Sequence, residues 1–154
     1  KNFLINKLKI KKKKVNIKKI KVSKKKNNFL GRIFLPYSFD NIETIKNSLS
    51  LLVEKNYIKL KNFKLNPHPV AFNDSSYKKK CLNIQKSFKF GDTISKTVLI
   101  VGNTNVLFEV LELKLDVIHI IIDEMCDKIS PFFWKNIKII KLDENIYKYS
   151  YIKK

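Results

Sequence analysis

A single arginine, Arg32, stands among 33 basic residues, so nearly all the positive charge of this 154-residue chain is lysine. Lysine is a point charge without the planar fork that reads bases and phosphates in pairs, so cationic contacts here neutralise more than they specify. Glycine is almost as scarce, with Gly31, Gly91 and Gly102 alone. A phosphate or cofactor loop needs several glycines for close backbone approach, and no such cluster exists. The two cysteines, Cys81 and Cys126, lie far apart, and only His68 and His119 could join them as soft ligands. No zinc-ligand spacing results; the cysteines fit ordinary thiols in a reducing compartment, with a disulfide left open. No uncharged stretch approaches the roughly 18 residues of a membrane span, which argues against integral membrane association.

The last absence is the most informative. The first 39 residues contain no acidic residue but carry thirteen lysines and Arg32, whereas the following 115 residues hold 19 positive and all 13 negative charges. Charge gathered into one segment on an otherwise ordinary domain is expected of a nucleic-acid binder. Lys11, Lys12, Lys13, Lys14, Lys18, Lys19, Lys24, Lys25 and Lys26 are the candidate phosphate contacts of this arm. The Lys/Asn-rich start, Lys1 to Asn28, can bury little surface and is expected to order only against a partner. A targeting peptide is the weaker reading, because transit peptides favour Arg and Ser and the arm offers only Arg32 and Ser23. The abundance of Lys, Asn, Ile and Phe, all with AT-rich codons, hints at an AT-rich and organellar coding genome.

Apolar spacing then divides the chain. Leu4 to Val22 suits an extended arm, and Arg32 to Tyr37 reads as a strand with Pro36 at an edge or bend. Asp40 with Glu43 marks a helix start, and Ile42, Ile45, Leu49, Leu52 and Val53 recur at helical spacing. Tyr57 to Leu65 alternates as a strand ending at Asn66-Pro67, and His68 to Gly91 reads as a long basic and aromatic loop. Thr97 to Val101 is a compact strand, Val106 to Leu115 a helical stripe, and Val117 to Ile122 the next strand. The tail adds a strand-like Ile137 to Leu142 and alternating Tyr147, Tyr149 and Tyr151.

Strand, helix, strand, long loop, strand, helix, strand is the order of a ferredoxin-like split β-α-β sandwich of the α+β class, with two helices on one face of an antiparallel sheet. The expected organisation is a basic N-terminal extension (1–31), a domain (32–124) bearing a long protruding hairpin loop, and an aromatic C-terminal extension (125–154).

With that order, residues 32 to 123 resemble the small-subunit ribosomal protein "S ten" family. Arg32-Ile33-Phe34-Leu35 followed by Phe39-Asp40 looks like the family's first strand running into its Phe-Asp helix start. Thr97 to Val101, then Leu113-Lys114-Leu115-Asp116 and Val117 to Ile121, are similar to its closing strand, helix and strand. The resemblance implies a non-catalytic constituent of the small-subunit head that binds ribosomal RNA and neighbouring head proteins. On that reading no cofactor or small-molecule substrate is expected. With the compositional hint, the expected residence is a mitochondrial ribosome, another organelle being the alternative.

Within the expected loop, Tyr77, Lys78, Lys79, Lys80, Lys86 and Lys89 are the candidate RNA contacts, lysines meeting phosphates and the tyrosine offering a ring to a base. Phe88 and Phe90 either stack on bases or pack at the loop's base. A competing reading takes Thr97 to Glu124 as a methyltransferase-like nucleotide-binding half, with Asp123-Glu124 at a strand end placed to bind ribose; a generic basic RNA-binding protein is the third. His119, alone on a strand, is read as structural rather than catalytic. Glu109, Glu112, Asp116, Asp123, Glu124 and Asp127 face only Lys114, either as a solvated patch or as a contact for a basic neighbouring protein.

Overall fold

A computed structural model describes residues 25–122 and 136–152. They form an α+β fold built on a six-stranded mixed sheet. In chain order the strands are β1 (Arg32–Phe34), β2 (Lys64–Asn66), β3 (Thr97–Val101), β4 (Asp116–Ile120), β5 (Ile137–Asp143) and β6 (Ile146–Tyr151). The helices are α1 (Ile42–Glu54), α2 (Ser75–Ser87) and α3 (Val106–Glu112).

Across the sheet the order is β2-β1-β3-β4-β6-β5. β1 pairs in parallel with both β2 and β3, and β3 pairs in parallel with β4. Only β6 is antiparallel to its neighbours β4 and β5. The antiparallel split β-α-β pairing expected from element order is therefore not adopted by the first four strands. The physical reason lies in Val98 to Val101 and Val117 to Ile120, which are buried without alternation. A strand apolar on both faces needs cover on both, the condition of a parallel sheet flanked by helices.

That cover is observed. On one face Leu99, Val101, Ile118 and Ile120 pack with Ile45, Leu49 and Leu52 of α1 and with Tyr77, Cys81 and Ile84 of α2. On the other, Val98, Ile100 and Val117 pack with Leu107, Val110 and Leu111 of α3. Each fully buried aliphatic side chain contributes about 1.5–3 kcal/mol relative to exposure, so these two layers supply most of the drive to fold.

Local chemistry sets the helix bounds. Asn41, rather than Asp40, caps α1 by accepting from the Thr44 amide at 3.0 Å. Asn56 follows the helix in the left-handed region (φ 57°), a conformation its short polar side chain tolerates. The expected strand from Tyr57 shortens to Lys64–Asn66, because Leu60–Asn62 tightens into a 3-10 turn.

The expected hairpin loop is instead largely the helix α2. Asp74 caps it, its carboxylate accepting from the Tyr77 amide at 2.8 Å. Tyr77, Cys81 and Ile84, spaced by four and three residues, form its buried face. Lysine is a good helix former, so the Lys78 to Lys80 run does not interrupt it.

The C-terminal segment belongs to the same sheet. Tyr149 of β6, fully buried, lies opposite Val117 of β4, and Tyr147 lies opposite His119. At the other end Phe29 and Leu30 pack on the second core layer, so residues expected in the N-terminal extension contribute to the fold.

Candidate nucleic-acid interface

Between Lys55 and Lys96 the sequence carries ten lysines against Asp74 and Asp92. Folding places most of them on the outside of α2 and around edge strand β2, while Lys55 pairs with Asp143 of β5 at the other edge of the sheet. Lys78, Lys79 and Lys86 are exposed on α2, Lys89 just beyond it, and Lys59, Lys61 and Lys64 at or near β2. An amphipathic helix that buries Tyr77, Cys81 and Ile84 has only its opposite side to offer solvent, and there Lys78, Lys79 and Lys86 stand with Leu82, Asn83 and Gln85. The arrangement suits phosphate neutralisation along a backbone more than recognition of any one base.

The individual candidates differ. Lys78 places Nζ 5.4 Å from the centre of the half-exposed Phe72 ring, still open to solvent. Lys80 is committed to the fold: its Nζ donates to the Phe39 carbonyl at 2.7 Å, meets Asp40 Oδ1 at 3.3 Å and lies over the Phe39 ring. Tyr77 is a correction. Its ring is buried edge-on against Phe39, and its hydroxyl donates to the Pro36 carbonyl at 2.9 Å while accepting from the His68 amide at 2.9 Å. Burial pushes the Tyr77 phenol up to about 12, and no base can stack on it. Phe88 and Phe90 pack edge-on to one another, 6.0 Å between centres, against the first core layer. Of the two readings of these rings, packing is the one observed.

Lys25 and Lys26 lie at the start of the described residues, with Lys25 Nζ 3.8 Å from Glu109 Oε2 of α3. Lys11, Lys12, Lys13, Lys14, Lys18, Lys19 and Lys24 lie outside the described residues, as do Asp123, Glu124 and Asp127. Glu109, Glu112 and Asp116 are exposed, and besides Lys114, set over the Tyr151 ring at 5.1 Å, Lys25 stands with them, paired to Glu109.

His119 is structural. Almost wholly buried, it places Nε2 2.9 Å from the Gly102 carbonyl and Nδ1 3.3 Å from the Tyr149 hydroxyl. Burial holds its pKa below the ordinary imidazole value. Cys81 is likewise buried and its thiol pushed up by desolvation, the opposite of an activated nucleophile.

Compared with protein-family models, with characterised proteins and with solved structures, the chain finds no match.

A second feature escaped the sequence. At the carboxyl ends of β1, β2 and β3 lies a cleft of about 610 Å³, lined among others by Tyr37, Asn66, His68, Asn103, Asn105 and Glu109. Its lining contains no lysine or arginine among the described residues. The available signal was that Asn66-Pro67-His68-Pro69 and Gly102-Asn103-Thr104-Asn105 each follow a strand; parallel pairing brings both turns to the same end of the sheet.

Proposed function

We propose that the protein is a structural constituent of the small subunit of an organellar ribosome, the mitochondrial one, where it binds ribosomal RNA and neighbouring head proteins in support of translation. The observation that carries this reading is the charge distribution: fourteen positive and no negative residues before Asp40. The lysine-bearing outside of α2 and the β2 edge add a second cationic surface, and the exposed Glu109, Glu112 and Asp116 offer a separate one to a basic protein neighbour. The likeness to the "S ten" family is carried by the local sequences Arg32 to Asp40 and Thr97 to Ile121. It does not rest on strand pairing, which departs from the ferredoxin-like sandwich of that family.

The parallel β3-α3-β4 unit favours a second reading, a methyltransferase-like nucleotide-binding protein. Against it, Gly102 is the one glycine in the turn that would have to approach the cofactor. Sedimentation of the endogenous protein through a high-salt gradient separates the two. Stable migration with small ribosomal subunits is the expected result. Migration as a free protein that binds a nucleotide cofactor would replace the first reading by the second.

A further inference from the structure

The cleft at the ends of β1, β2 and β3 is where an open sheet with parallel strands binds ligands. α1 packs on one face of the sheet and α3 on the other, so the chain leaves β1 and β3 toward opposite sides and opens a crevice between them. About 610 Å³ is ample for one nucleoside-sized group.

The lining states what kind of group. It holds no basic side chain among the described residues, and its one carboxylate, Glu109, is already ion-paired to Lys25 at 3.8 Å. A phosphate would find no cation inside and would meet that carboxylate. A neutral ring with donor and acceptor edges finds what it needs. Tyr37 is 62% exposed, its ring held edge-on to His68 at 5.3 Å, and contributes a face that the core does not use. Asn66 Oδ1 accepts from Arg32 Nη1 at 3.2 Å, which leaves its NH₂ as a donor. Asn105 sits at the start of α3 without capping it, and among the described residues no hydrogen bond engages its amide.

We infer that this cleft takes one unpaired nucleobase of an RNA strand, stacked on Tyr37 and bonded at its edge by the asparagine amides; the inference rests on the RNA-binding reading above. Chain continuity supplies the second half of the argument. In sequence the lysine-dense segment runs up to Lys25, which is ion-paired to Glu109 of the cleft wall, so cationic groups for flanking phosphates lie within chain reach of a cleft whose lining has no basic side chain among the described residues. Base in a neutral aromatic cleft and phosphates on lysines outside it is the division of labour by which single-stranded RNA is held.

The test uses the full chain and a hairpin RNA carrying a fluorescent adenine analogue either in its loop or in its stem, with free adenosine as the small-molecule arm. The loop analogue is expected to change fluorescence on binding, the stem analogue not. Tyr37→Ala should reduce the preference for the loop RNA by roughly five- to a hundredfold. Asn105→Asp, which adds a second carboxylate, should reduce it as well, with circular dichroism unchanged in both. If both variants keep the parent's loop preference and signal while RNA binding stays salt-dependent, the cleft proposal is overturned and the RNA-binding reading survives. Absence of salt-dependent RNA binding by the parent overturns both. Tight adenosine binding without loop binding overturns the RNA occupant and favours the nucleotide-binding reading.

Discussion

His119 Nε2 lies 2.9 Å from the carbonyl oxygen of Gly102, across the top of two neighbouring parallel strands. A carbonyl only accepts, so Nε2 carries the proton and Nδ1 accepts from the Tyr149 hydroxyl at 3.3 Å. The ring is thereby held neutral between β3, β4 and β6. Because burial lowers its pKa in the fold, the unfolded chain binds the extra proton first as pH falls. Stability should therefore be complete above the ordinary value of 6.5 and decline as pH drops below it toward the lower folded value. Denaturant melts between neutral and mildly acidic pH are expected to show this slope, and His119→Gln should flatten it. An equally steep slope in the variant would place the acid sensitivity elsewhere.

Gly31 enters β1 with φ +62°, and a Cβ built there would stand 2.7 Å from the backbone of Thr93. Its amide donates to the Thr97 carbonyl and its carbonyl accepts from the Lys64 amide, so the turn is fixed on both sides and cannot move aside. Gly31→Ala should cost at least about 2 kcal/mol, from left-handed strain and the clash together. A denaturation midpoint equal to the parent's would show that the segment before β1 is not held as described.

Helix α1 was legible from its helical apolar spacing, and strands β3, β4 and β5 from their apolar runs; β6 showed only as alternating tyrosines in an expected extension, and its place in the sheet did not show. The sheet's order was not. Val98 to Val101 and Val117 to Ile121 are apolar runs without alternation, and their meaning, helices on both faces, was available but outweighed by element order. Helix α2 was hidden by its lysines and aromatics; the spacing of Tyr77, Cys81 and Ile84 behind the cap Asp74 was the signal. Tyr77 then could not be told from an exposed stacking residue, since only the fold brings Pro36 and His68 to its hydroxyl. The cleft is a product of parallel pairing: the turns Asn66-Pro67-His68-Pro69 and Gly102-Asn103-Thr104-Asn105 were visible in the sequence, but only that pairing brings them to one end of the sheet.

Tyr77→Phe tests that buried hydroxyl. The change leaves the Pro36 carbonyl and the His68 amide without their partner, at a cost of about 1–3 kcal/mol. Since burial raises the phenol from 10.0 to about 12, the folded state keeps its proton when the unfolded chain has lost it. The hydroxyl's contribution is thus present below pH 10 and is lost as pH rises toward 12. The stability gap between parent and variant should narrow over that interval. A gap independent of alkaline pH would mean that the phenol is open to solvent.

Removal of residues 1–24 takes away eleven lysines and no acidic residue. Phe29 and Leu30, which pack on the second core layer, remain. Cooperative melting should persist while RNA affinity and its salt dependence fall; leaving just four phosphates without their lysines would lower the log–log slope by about 3. A truncated protein that no longer unfolds cooperatively would make the basic segment part of the fold.

The lysines on and just beyond α2 divide into two kinds, and substitution separates them. Lys78, Lys79, Lys86 and Lys89 are exposed, and no ion pair engages them among the described residues. Replacing the four together by Gln should leave the melt unchanged and lower the log–log salt slope of RNA binding by about 3–3.5, at roughly 0.7–0.9 for each phosphate no longer neutralised. Lys80 is the contrary case. Its ammonium donates to the Phe39 carbonyl and to Asp40, linking α2 to the turn before α1. Lys80→Gln should therefore lower stability by about 1 kcal/mol, the charged hydrogen bond being discounted for partial exposure, and change the salt slope little. Affinity and slope near the parent's in the fourfold variant would reject the outer face of α2 as an RNA-binding surface and leave the N-terminal lysines to carry binding. An equal fall in slope from Lys80→Gln alone would show instead that the ammonium exchanges Phe39 for a phosphate when RNA binds.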